Sequence, residues 1–103
     1  MEFTFRGELW FWRGPAPWLF VSVPDDAAGA IGEVAAVVTY GWGMIPVVAR
    51  VGRTAWTTSL WPKDDGYILP IKTDVRRREG LEFGDLVEVT MSLEAAPHAR
   101  PIG

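Results

Sequence analysis

The chain has 103 residues, a size that suits one domain, and its 49% hydrophobic content with six tryptophans supplies a core that needs neither metal nor disulfide. A net charge of −3 weighs against general affinity for nucleic acid or anionic membrane. The absence of cysteine excludes disulfides, thiol catalysis and thiolate metal sites, and it fits a cytoplasmic protein.

The first stretch, Glu2 to Trp12, alternates Phe3, Phe5, Leu9 and Phe11 with Glu2, Thr4, Arg6 and Glu8. That period of two predicts a strand with one buried face rather than a signal peptide. Trp10 and Trp12 fall on the polar side, so that face is expected to be covered near its far end. Gly14, Pro15 and Pro17 impose a loop, and Trp18 to Val23 resumes as a strand that stops at Pro24. Asp25 or Asp26 can cap a helix, because a carboxylate there accepts free backbone N–H groups and suits the dipole. Ala27, Ile31, Val34 and Val38 then follow on one helical face. Gly29 and Gly32 weaken this helix by roughly 1 kcal/mol each relative to alanine, so packing on a sheet must hold it. Tyr40-Gly41-Trp42-Gly43 ends it.

Met44 to Val51 is the next strand, joined through Gly52-Arg53 to a β-branched and aromatic strand from Thr54 to Trp61. Pro62 to Gly66 reads as a turn, and its paired aspartates do not amount to a calcium loop, whose ligands spread over about twelve residues. Tyr67 to Ile71 is a short strand. Thr73 can cap a two-turn helix, Asp74 to Glu79, that Gly80 ends. Gly84-Asp85 is a turn in which glycine adopts a conformation other residues resist and the aspartate bonds nearby N–H groups. Leu86 to Leu93 closes the fold, leaving a flexible tail over 95–103 after a single barrel domain over 1–94.

Phe5, Leu9 and Trp10 correspond to Trp56, Leu60 and Trp61 at one constant offset, and Val23–helix–Gly43 matches Ile71–helix–Gly84. Each half is therefore strand, strand, helix, strand. Duplicated ββαβ halves with short strands point to interlocked sheets that close into a small barrel, a mainly β fold with two helices.

Lys72, Arg76, Arg77 and Arg78 concentrate positive charge. A solvated helix face is the plain reading of this run. The functional reading puts Lys72 and Arg76 on one face, where with Ser59 and Lys63 they would form a small anion pocket. Trp18 and Trp56 read as core, whereas Trp42, between glycines, and Trp61, before a proline, suit the rim of a cleft. The single histidine, His98, sits in the tail, which argues against a Ser-His-Asp triad or a histidine metal site. No phosphate-cradling glycine loop and no placed acid–base pair appear, so an enzyme is not expected, nor is a cofactor or metal.

Gly52, Trp56, Thr58, Ser59, Leu60, Pro62 and Lys63, then Gly66, Tyr67, Leu69, Pro70 and Lys72, then Val75, Arg76, Gly84, Asp85, Val87 and Val89 form an ordered motif set. With FRGELW and FVSVPDDAAGAI it resembles the bacterial family catalogued as domain of unknown function 1905. The resemblance implies a double-split β-barrel related in shape to AbrB/MazE-type DNA-binding domains, with both halves fused in one chain. It assigns no activity. The expected function is a cytoplasmic, monomeric, non-enzymatic module that binds a small anionic or aromatic ligand or a peptide through Trp42, Ser59, Trp61, Lys63, Lys72 and Arg76. The alternative is an AbrB-like DNA-binding regulator, against which the acidic total counts.

Overall fold

The alternation of β1 (Glu2–Trp12) turns Phe5 and Leu9 into the core and leaves Glu2, Thr4, Arg6 and Glu8 exposed, as a pleated strand with one buried face must. The computed structural model describes residues 2–12, 18–38, 43–64 and 66–93. After β1 come β2 (Trp18–Ser22), α1 (Asp25–Val38), β3 (Ile45–Val51), β4 (Thr54–Lys63), β5 (Gly66–Ile71), α2 (Thr73–Glu79) and β6 (Leu86–Leu93). The strands close into a barrel in the order β1-β2-β5-β4-β3-β6, with every neighbouring pair antiparallel. The expected mainly β barrel with two helices, built from two ββαβ halves, is the observed fold.

The two long strands each serve two sheets in turn. β1 pairs with β6 from Glu2 to Glu8 and then with β2 from Leu9 to Trp12. β4 pairs with β3 from Thr54 to Leu60 and then with β5 from Trp61 to Lys63. Exchanging the halves leaves every strand neighbour unchanged. The register obeys the same exchange: Phe5 faces Val89 as Trp56 faces Ala49, and Trp10 faces Phe20 as Trp61 faces Ile68. The repeat seen in the sequence is thus a repeat in space.

Val21, Ile45, Val47, Leu60, Leu69 and Val89 line the interior with no measurable exposure, and Ile31 of α1 and Val75 of α2 reach into the same core. Trp56 joins it, as expected; the Trp18 side chain lies outside the described residues. β5 is buried on both faces from Ile68 to Ile71, and β2 at Phe20 and Val21. Phe20 and Ile68 point away from the inner core yet are sealed, Phe20 with its ring 5.1 Å from those of both Trp10 and Trp61. The polar side of β1 is therefore covered at Trp10, which also donates its indole N–H to Ser22 Oγ at 3.0 Å, but not at its end: Trp12 is 48% exposed, and Phe11, expected on the buried face, is 43% exposed.

Three local expectations are corrected. Asp25 and Asp26 lie inside the first turn of α1 rather than before it: the Pro24 carbonyl accepts the Ala28 N–H at 2.8 Å, and Asp26 Oδ1 accepts that of Ala27. Lys72, not Thr73, precedes α2, in an extended conformation and without a side-chain cap, while Gly80 ends the helix at φ 62° as expected. β4 runs on through Pro62 and Lys63, so the turn narrows to the residues around Asp64, whose φ is 53°. Past Leu60 the pairing with β3 has ended, and a strand with one free side tolerates proline.

Gly29 and Gly32 have open space where a Cβ would project. Alanine at either position should raise stability by about 0.5–1 kcal/mol, because it restricts the unfolded chain and clashes with nothing. Thermal unfolding of the two variants checks this; a lowered midpoint would contradict it.

Gly84 and Asp85 stitch the last turn to β1. Gly84, at φ 88°, donates its N–H to the Leu9 carbonyl at 2.9 Å, Leu9 donates to the Asp85 carbonyl at 3.0 Å, and the Asp85 carboxylate accepts the Glu82 N–H at 2.8 Å. The structural role expected for this pair is the one observed.

Candidate functional site

Period-two geometry on β4 sends Thr57, Ser59 and Trp61 outward from the barrel. Pro46 lies opposite Ser59 on β3, while Pro70 on β5 and Lys72 just beyond it close the far side. With Met44 and Thr58 these residues line an open groove of about 470 Å³, within the size range of small-molecule sites. Ser59 and Trp61 are half-buried and Lys72 is exposed. The groove offers an indole and two proline rings for a flat apolar group, three hydroxyl-bearing residues for hydrogen bonds, and one ammonium for an anion. Among the described residues no carboxylate, imidazole or thiol lines it, and none pairs an acid with a base for proton transfer.

Three of the six expected site residues, Ser59, Trp61 and Lys72, therefore meet in one groove. Lys63 lies in another, of about 560 Å³, lined by Trp10, Ser22, Asp25, Asp64, Tyr67 and Ile68 among others. Its ammonium sits 5.9 Å from the centroid of the Trp10 ring and 3.2 Å from Asp64 Oδ2. Arg76 turns to the α2–β6 connection, with its guanidinium 5.0 Å from the Phe83 ring centroid and Nη2 3.8 Å from Glu82 Oε2. Its Nε is buried and has no hydrogen-bond partner among the described residues. Arg77 and Arg78 are exposed. Trp42 lies outside the described residues.

Thr57 was open to detection by strand parity, two residues before Ser59. Pro46 and Pro70 were not, since their positions depend on the pairing register of β3 and β5. The two grooves share the equivalent positions Trp10/Trp61 and Ser22/Pro70 but extend from them in different directions, the first toward Asp25, Lys63 and Asp64, the second across β3 and β4 to Pro46, Thr57 and Ser59. They differ in charge: among the described residues the first is lined by Asp25, Asp64 and Lys63, the second by Lys72. Among the described residues no three histidine, cysteine or acidic side chains come together to hold a metal ion, and no helix is long and apolar enough to cross a membrane.

This closed, two-halved barrel with an aromatic outer layer is a small α+β barrel domain. The family model described as Domain of unknown function (DUF1905) matches residues 5–91, and the chain belongs to that family. A search of curated proteins returned no match.

Proposed function

We propose that the protein is a non-enzymatic binding module for a small anionic or aromatic ligand, or for a peptide carrying such groups, seated in the groove of Ser59, Trp61 and Lys72. The observation that carries this reading is the convergence of an indole, hydroxyls and an ammonium on one groove between proline walls. A flat ring would lie against Trp61 and Pro70, and an acidic substituent would meet Lys72. The reading includes a monomeric protein, supported by the closure of the barrel within one chain, and a cytoplasmic one, which the lack of cysteine fits.

Calorimetric titration with benzoate and with benzyl alcohol, its neutral counterpart, tests the chemistry of the site. Benzoate should bind the wild-type protein about fivefold more tightly than the alcohol, the ~1 kcal/mol that an exposed charge pair can supply. That advantage should vanish in Lys72→Gln, which removes the ammonium from an exposed position without disturbing the core. Equal affinities in the wild type, or an undiminished preference in Lys72→Gln, would contradict the proposal.

A further inference from the structure

The groove beside Trp10 has a chemistry opposite to that of the Trp61 groove. Its lining contains two aromatic side chains, Trp10 and Tyr67, and two carboxylates, Asp25 and Asp64, against one ammonium, Lys63. The Trp10 ring is fixed before any ligand arrives: its N–H donates to Ser22 Oγ at 3.0 Å, and the ring packs on Phe20 at 5.1 Å between centroids. A cation already sits against it, the Lys63 ammonium 5.9 Å from the ring centroid, tethered by Asp64 at 3.2 Å. That ammonium occupies the position to which the electron-rich face of an indole draws a positive charge.

The neighbouring groups favour the same sign. The N-terminus of α1 brings partial positive charge to the groove through its backbone, but Asp25 and Asp26 occupy its first turn and more than offset a terminus worth about half a charge. Asp26 is engaged with the Ala27 N–H at 2.9 Å, which leaves Asp25 as the carboxylate that lines the groove from the helix side. With two carboxylates and one ammonium around it, the space keeps a deficit of one positive charge.

We infer that the Trp10 groove is a second binding site, for a small organic ammonium, and that the side chain of Lys63 is its resident occupant and competitor. The ligand's ammonium head displaces that of Lys63 from Trp10, Asp25 and Asp64 balance its charge, and Tyr67 contributes a second aromatic side chain to the lining. Methylated ammonium heads suit the site best, because they spread their charge over a surface that an aromatic face accommodates. The site stands independently of the Trp61 groove and takes ligands of opposite charge.

The test is a titration of the ¹⁵N-labelled full chain with tetramethylammonium chloride, following the indole N–H resonance of Trp10, which is assigned by its disappearance in Trp10→Phe. Sodium chloride serves as the ionic-strength control and tert-butanol as a neutral molecule of similar shape. The Trp10 resonance should shift saturably with tetramethylammonium alone. Lys63→Gln should tighten that binding about two- to fivefold, the fold-change equivalent to one exposed cation–π contact. Asp25→Asn combined with Asp64→Asn should weaken it. All three positions are exposed, so the variants should fold normally. The inference is overturned if Lys63→Gln shows no saturable shift, if tert-butanol or sodium chloride reproduces the shift, or if the double aspartate variant binds as well as the wild type.

Discussion

Gly7→Ala should destabilise the barrel by about 3 kcal/mol, because the added methyl group cannot be absorbed by a side-chain movement alone. A Cβ at Gly7 would fall 2.5 Å from the Ser22 carbonyl oxygen and 2.5 Å from Val21 Cγ1. The first of these is backbone, so β2 itself must shift. Gly7 stands where β1 leaves β6 for β2, and the close approach of β2 at this corner lets one strand serve both sheets. Urea denaturation followed by circular dichroism measures the loss as a lowered midpoint. A midpoint equal to that of the wild type would show that the corner is looser than its distances imply.

Leu9→Ala and Leu60→Ala should each cost about 3 kcal/mol, the usual range for a buried leucine whose cavity only partly collapses. The two leucines are 1% and 0% exposed and occupy equivalent places in the two halves. Their penalties should agree to within about 1 kcal/mol, a substantial part of a total stability on the order of 5–15 kcal/mol in either case. The same denaturation experiment reads both variants. A large loss at one leucine with almost none at the other would mean that the halves share topology but not an evenly packed core.

The elements that follow from local rules were legible in the sequence. Alternation identified the buried face of β1 as far as Leu9, though not at Phe11, which is exposed, and the glycine at position 80 marked the end of α2. The constant offset from Phe5, Leu9 and Trp10 to Trp56, Leu60 and Trp61 announced the duplication, because equivalent strands must send equivalent side chains inward. The site was legible only in part, since a site is made by neighbours that parity does not specify. Lys63 does follow Trp61 by two residues, yet the pairing of β4 with β5 carries it to Trp10 and Tyr67. Arg76 is four residues from Lys72, as one helical face requires. The exposed ring of Phe83, in a connection with no periodic pattern, provides the face against which its guanidinium rests. Trp10 showed that the outer face of β1 needed covering; that Phe20 would lie beneath it followed only from the β1–β2 register.

The central claim is that ligand chemistry resides in the groove of Ser59, Trp61 and Lys72, and a chemical-shift map of the ¹⁵N-labelled protein titrated with benzoate tests it most directly. The account predicts saturable shifts concentrated on Thr57, Ser59, the indole N–H of Trp61 and Lys72, with Trp10, Tyr67 and the exposed rings of Phe11 and Phe83, whose centroids lie 5.6 Å apart, unmoved. Shifts centred on any of those other residues, or a response that rises linearly without saturation across the whole barrel, would contradict it.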